Sequence, residues 1–159
     1  MVEIQEQTEL QGDIKMNIPN CYAYGRVETM SGFSASEINI ACNDELIISS
    51  GAHVDYISQL GTPSTVRVYN GGSVDSILMI ADVNVIVFSG GSVGSICSFN
   101  GNVTIRRGGI VSNLIQGGNT LVYSGGLISH YEGRGKLDIR SGGIVLEMNE
   151  TKKTKKEDV

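Results

Sequence analysis

The feature that most constrains the fold of this chain is a glycine-containing segment that recurs at a nearly constant spacing. Six copies align, and they span residues 46–57, 66–77, 85–96, 103–114, 120–131 and 137–148. A seventh, degenerate copy lies around Gly32. The first Gly of each copy stands at position 32, 51, 71, 90, 108, 125 or 142, so the spacings are 19, 20, 19, 18, 17 and 17 residues. A period that drifts in this way is typical of a coil whose corners tolerate insertions.

The apolar residues of these copies fall into four columns. Counted from the first Gly, the columns stand five and three residues before it, and three and six residues after it. In the copy around Gly71 their members are Val66, Val68, Val74 and Ile77. The first two columns alternate with polar or mixed residues at period two, as in a half-buried strand. Four apolar columns in each turn are what a coil needs to fill its own interior.

Paired glycines predict a sharp corner in each turn. A corner requires positive φ and leaves no room for a side chain against the neighbouring turn. The predicted corner glycines are Gly71, Gly72, Gly90, Gly91, Gly108, Gly109, Gly125, Gly126, Gly142 and Gly143. Independent hairpins in a sandwich are the alternative, but they would not keep four columns in phase. We therefore predict an all-β, single-stranded parallel β-solenoid of about seven turns with repeats of 17–20 residues.

The remainder of the chain divides around this repeat. Residues 1–26 do not fit it and are interpreted as an N-terminal cap or extension. Residues 27–148 form the solenoid, and residues 149–159 form a charged C-terminal tail. We interpret the tail as a solubilising end, with a docking role as the alternative.

Charge and hydropathy exclude several classes of partner. The net charge of −5 disfavours nucleic acid, because no basic stripe is available for phosphates. No apolar run has the length of a membrane span, so membrane insertion is not expected. The first ten residues are acidic and polar, so no signal peptide is predicted there. Cys21, Cys42 and Cys97 lack the spacing of a metal site and are interpreted as buried free thiols.

No catalytic constellation emerges from the titratable residues, and no cofactor or metal is predicted. His53 and His130 lie in outward segments of different turns and are interpreted as surface histidines. Asp55 and Asp75 share one repeat position in adjacent copies, so their side chains could bind a cation or act as an acid/base pair. Because the later copies place Gly or Ser there, we interpret both as solvated corner acids.

Two outward columns are candidates for binding. Two residues before the first Gly stand Tyr69, Phe88, Arg106, Tyr123 and Arg140. Aromatic and Arg side chains in this arrangement stack between strands, and they could also hold a sugar ring or a partner. Stabilisation of the coil alone is the competing interpretation.

The second column becomes apolar towards the C-terminus. Two residues after the first Gly, early copies carry His or Ser, whereas late copies carry Ile110, Leu127 and Ile144, with Leu146 beside them. An exposed apolar stripe usually marks an interface or is covered by another segment. We predict a partner or self-association surface, with the N-terminal residues folding over it as the alternative.

Several runs resemble a known repeat. They are Val87-Phe88-Ser89-Gly90-Gly91, Val122-Tyr123-Ser124-Gly125-Gly126 and Ile139-Arg140-Ser141-Gly142-Gly143. Over about residues 46–148 the chain resembles the AIDA-type repeats of bacterial autotransporter adhesin passengers. That resemblance implies a β-solenoid on a cell surface or outside the cell, with roles in adhesion and self-association and sometimes glycosylation of repeat serines.

Three functions follow as hypotheses. The first is a non-enzymatic structural or adhesive solenoid, a homo-oligomer or part of a larger assembly such as a cell surface, filament or virion. The second is a carbohydrate-binding module that uses the aromatic and Arg column. The third is a polysaccharide-cleaving enzyme. It is disfavoured because such enzymes cluster several acidic residues on one sheet face, whereas the outward positions of this chain are mostly Ser, Gly and Asn.

Overall fold

The chain folds as a β-solenoid of stacked parallel strands. A computed structural model describes residues 2–4, 17–18, 21–23, 25–29, 31–40, 43–59, 63–80 and 82–150. These residues contain strands and turns but no helix, and accordingly no helix suited to crossing a membrane. The all-β class and the parallel solenoid predicted from the repeat are therefore confirmed.

Two parallel sheets form the walls of the solenoid. The first contains β1 (Val2–Ile4), β2 (Asn17–Ile18), β3 (Cys21–Ala23), β5 (Ser34–Ile40), β7 (His53–Gln59), β9 (Ser73–Met79), β11 (Ser92–Ser98), β13 (Ile110–Gln116), β15 (Leu127–Gly133) and β17 (Ile144–Glu150). The second contains β4 (Arg26–Glu28), β6 (Glu45–Ile48), β8 (Ser64–Val68), β10 (Val83–Val87), β12 (Gly101–Ile105), β14 (Asn119–Val122) and β16 (Leu137–Ile139). The stack amounts to about six turns, close to the predicted seven.

The strand register reproduces the spacing of the glycines. Ser34 pairs with His53, and His53 pairs with Ser73, which are steps of 19 and 20 residues. At the other end, Leu127 pairs with Ile144, a step of 17 residues. The drifting period is therefore the number of residues in each turn, and the insertions fall between strands.

Each turn bends at the first Gly of its copy. The first Gly of each copy has positive φ, between 73° and 83°. Its amide donates to the carbonyl of the first Gly of the next turn, at 2.7–3.2 Å, from Gly32 through to Gly142. The corner is thus part of the inter-turn hydrogen-bond ladder, which satisfies backbone groups that would otherwise be unpaired.

The four predicted apolar columns fill the interior in all but the last turn. Val66, Val68, Val74 and Ile77 are each at most 2% exposed. The final copy departs from the prediction, since Ile139 and Met148 stand in inward columns but are 41% and 43% exposed. The physical reason is that, in the described part of the chain, no further turn stacks on β16 and β17.

A fifth inward column, eight residues after the first Gly, was not predicted from the sequence. Met79, Ser98 and Gln116 occupy it and are at most 3% exposed. The Ser98 hydroxyl donates to the carbonyl of Asn100 at 2.5 Å, and the Gln116 amide donates to the carbonyl of Asn119 at 3.1 Å. The column was missed because its members become polar as the turns shorten, and these polar side chains bind the backbone of the second corner.

The predicted end segments fall partly outside the described residues. Of residues 1–26, strands β1 and β3 extend the first sheet beyond β5 in parallel register. Of residues 149–159, Asn149 and Glu150 belong to β17. The other residues of the tail lie outside the described part of the chain.

Candidate functional site

The apolar column predicted from the late repeats lies on the outer face of the first sheet. Ile110 is the register partner of Leu127, and Leu127 is the partner of Ile144, so the three side chains form one stripe across β13, β15 and β17. Ile110 and Ile144 are 43% and 46% exposed, Leu146 is 65% exposed, and Leu127 is half-buried. We call Ile110, Leu127, Ile144 and Leu146 the apolar stripe.

The apolar stripe continues onto the C-terminal end of the solenoid. Ile144 and Leu146 belong to β17, the last strand of the first sheet. On the same turn Ile139 and Met148 are exposed, although their columns are buried in earlier turns. The apolar stripe on the outer face of the first sheet is therefore continuous with the exposed apolar side chains at the C-terminal end of the solenoid.

The N-terminal strands lie far from this region. Strands β1 and β3 occupy one edge of the first sheet, whereas β17 forms the opposite edge. The alternative that N-terminal residues fold over the apolar stripe therefore finds no support in the described N-terminal strands.

Further exposed apolar side chains were not singled out from the sequence. Ile115, on the outer face of β13, is 42% exposed. Ile80 and Phe99 are 66% and 67% exposed, and each stands nine residues after its first Gly, at the same corner of adjacent turns. Their shared repeat position was the available signal, but it lies outside the four columns that define the repeat.

The aromatic and Arg column forms contacts between turns, as predicted. The rings of Tyr69 and Phe88 are stacked, with centroids 4.3 Å apart and planes 8° from parallel. The Arg106 guanidinium lies 4.7 Å from the centroid of the Tyr123 ring. Arg140 instead forms an ion pair with Asp138 at 3.4 Å. The column therefore consists of two stacked pairs followed by a terminal Arg.

A shallow groove of about 590 Å³ lies beside the first of these pairs. Its floor and walls include Ile47, Ser49 and Tyr69, and Arg26 and Glu28 stand at its other side. The groove exists because the copy before Tyr69 has the small residue Ser49 in the aromatic column, so the stack ends there. The Ser49 hydroxyl donates to Glu28 at 2.8 Å, which places a carboxylate and hydroxyls around an apolar base.

The structure brings together titratable residues that the sequence analysis treated separately. Nε2 of His53 lies 3.1 Å from Oδ1 of Asp55 and 3.7 Å from Oδ2 of Asp75. Its Nδ1 lies 2.8 Å from the Ser73 hydroxyl. His53 lies at the surface, as predicted, but its contacts with Asp55, Asp75 and Ser73 were not predicted from the sequence. The missed signal is the pair His53 and Asp55, which a period of 20 residues places beside Asp75.

His130 and Cys97 have fewer polar neighbours than His53 in the described part of the chain. Nδ1 of His130 lies 3.2 Å from Oε2 of Glu147 on the next strand. Cys97 is free, and its side chain is half-buried on an outward position, whereas a buried thiol was predicted. The side chain of Cys21 and all of Cys42 lie outside the described residues.

No family model, curated protein or solved structure matches the chain.

Proposed function

We propose that this protein is a non-enzymatic structural solenoid that self-associates through its C-terminal turns. The observation that carries the proposal is the continuity of the apolar stripe with the apolar end of the coil. Residues with 41–65% exposure, namely Ile110, Ile139, Ile144, Leu146 and Met148, lie in the last three turns. Exposed apolar patches of this kind usually mark an interface.

A second copy of the chain is the partner that we favour. The open edges of β16 and β17 carry backbone groups that have no described strand to pair with, and such edges favour association with another strand. Outer apolar side chains beside that edge would be buried by the same contact. The resemblance to AIDA-type repeats supports a role in adhesion at a cell surface. Membership of a larger assembly, such as a cell surface, filament or virion, is part of the proposal.

Sedimentation velocity over a range of protein concentrations tests self-association. We expect the wild-type protein to form dimers or larger species, and the double variant Ile110→Asp with Leu127→Asp to shift towards the monomer. The control places a charge at the same repeat position of an early turn, in Ser34→Asp, and should sediment like wild type. A wild-type protein that stays monomeric at high concentration, or an oligomer that Ile110→Asp with Leu127→Asp leaves intact, would refute the proposal.

A second candidate function is carbohydrate binding at the groove beside Tyr69. The groove combines an exposed aromatic ring, 37% exposed, with hydroxyl, carboxylate and guanidinium groups. Sugar rings pack on aromatic faces, and their hydroxyls form hydrogen bonds with the polar groups around the ring. A glycan array should then show binding that Tyr69→Ala abolishes and Tyr123→Ala preserves, because the Tyr123 ring is paired with Arg106. Equal binding by wild type and Tyr69→Ala would exclude this function.

A further inference from the structure

Three potential metal ligands meet on the outer face of two adjacent turns. His53 and Asp55 are two residues apart on β7, so their side chains emerge on the same side of the strand. Asp75 occupies the position of Asp55 on the next strand, β9. One ligand atom from each residue lies within 4.8 Å of the other two. The cluster is accessible, with side chains 42%, 57% and 69% exposed.

A contact behind the imidazole ring of His53 supports its orientation towards the carboxylates. The Ser73 hydroxyl lies 2.8 Å from Nδ1, on the other side of the ring from Nε2. Nε2 faces Oδ1 of Asp55 and lies near Oδ2 of Asp75. A divalent cation bound in place of hydrogen on Nε2 would contact one nitrogen and two carboxylate oxygens.

The spacing of the three atoms suits a small divalent ion. Zinc bonds of about 2.0–2.2 Å to nitrogen and oxygen place neighbouring ligand atoms roughly 3–3.5 Å apart. The two distances from Nε2, 3.1 and 3.7 Å, are close to that spacing. An imidazole nitrogen with carboxylate oxygens favours first-row transition metals, whereas Ca²⁺ and Mg²⁺ prefer oxygen ligands alone. The Ser73 hydroxyl orients the imidazole as a hydrogen-bond partner behind a ligand commonly does.

We propose that His53, Asp55 and Asp75 form a binding site for Zn²⁺, with water completing the coordination. The site joins two turns at the N-terminal half of the solenoid, away from the apolar stripe. It is independent of the proposed self-association, which involves β13, β15 and β17.

Calorimetric titration of EDTA-treated, dialysed protein with Zn²⁺ tests the site. Wild type should bind one equivalent, and His53→Gln should weaken that binding about 100-fold. Ser73→Ala removes only the orienting contact and should weaken binding roughly tenfold. The matched control is His130→Gln, because His130 faces a single carboxylate, Glu147, and this variant should bind like wild type. Circular dichroism of each variant establishes that the fold is retained.

Three outcomes would overturn the proposal. The first is the absence of saturable Zn²⁺ binding in wild type. The second is equal affinity of wild type and His53→Gln. The third is displacement of Zn²⁺ by equimolar Ca²⁺, which would indicate carboxylate binding without the imidazole. Sedimentation in EDTA keeps the test of self-association separate from this one.

Discussion

Two adjacent glycines at one corner of the solenoid are required for different physical reasons, and substitution separates them. Gly71 has φ of 75°, and a Cβ built on it would lie 3.1 Å from the Ser50 hydroxyl, a side-chain atom at the surface. Gly72 does not have positive φ, but its Cβ would lie 2.6 Å from the carbonyl oxygen of Ile48 in the turn before. Position 71 requires a residue that tolerates positive φ, whereas position 72 has no space for a side chain.

The expected costs follow from these contacts. Gly71→Ala forces an alanine into the left-handed region, which costs about 1–2 kcal/mol, while Ser50 can rotate away. Gly72→Ala must displace the Ile48 carbonyl, which accepts the amide of Tyr69 at 2.9 Å. Overpacking of about 1–3 kcal/mol and a weakened hydrogen bond of about 1 kcal/mol together destabilise by about 2–4 kcal/mol. For a chain of this size each kcal/mol lowers Tm by about 2–4 °C.

Thermal unfolding followed by circular dichroism measures both effects, and asparagine distinguishes their causes. Asparagine tolerates positive φ better than alanine, as Asn43 does in this protein with φ of 63°. Gly71→Asn should therefore be more stable than Gly71→Ala. Gly72→Asn should be no more stable than Gly72→Ala, because any Cβ meets Ile48. A Gly72→Ala protein with the Tm of wild type, or an advantage of asparagine at both positions, would refute the reasoning.

Two further predictions concern the interior and the outer surface. Ile96→Ala removes a side chain that is 0% exposed, and it should lower the free energy of unfolding in urea by about 2–5 kcal/mol. Ile86→Ala, at a half-buried outward position, should lower it clearly less. Equal losses would contradict the inward direction of Ile96. Asn102→Ala removes side-chain hydrogen bonds to Asn84 and from Asn119 of 2.9 and 3.1 Å, but because they are exposed we expect a loss below about 1 kcal/mol. A loss comparable to that of Ile96→Ala would show that the asparagine ladder is a main source of stability.

The repeat made most of the fold predictable. Apolar residues such as Val68 and Val74 recur at constant offsets from a glycine, so the same side chains enter the interior in every turn. The spacing of the glycines also predicted the strand register, because one residue added to a turn moves all later positions by one. The fifth inward column was not predicted, because Ser98 and Gln116 are polar residues that are buried against corner carbonyls.

The candidate surfaces were predictable to different extents. The outward direction of Ile110 and the stacking of Tyr69 on Phe88 follow from their repeat positions, which place side chains above one another in adjacent turns. The groove beside Tyr69 could not be predicted in the same way. Its depth depends on which neighbouring side chains are small and on how those side chains are oriented.

The period, four of the inward columns, the glycine corners and the apolar change in the late repeats could therefore be predicted, because these are properties of one repeat compared with the next. The folded structure was needed to show that Met148 is exposed although its column is buried in earlier turns, since burial depends on a further turn stacking above it. It also decided that Nε2 of His53 faces both Asp55 and Asp75, because that contact depends on side-chain rotation and on the hydroxyl of Ser73 behind the ring.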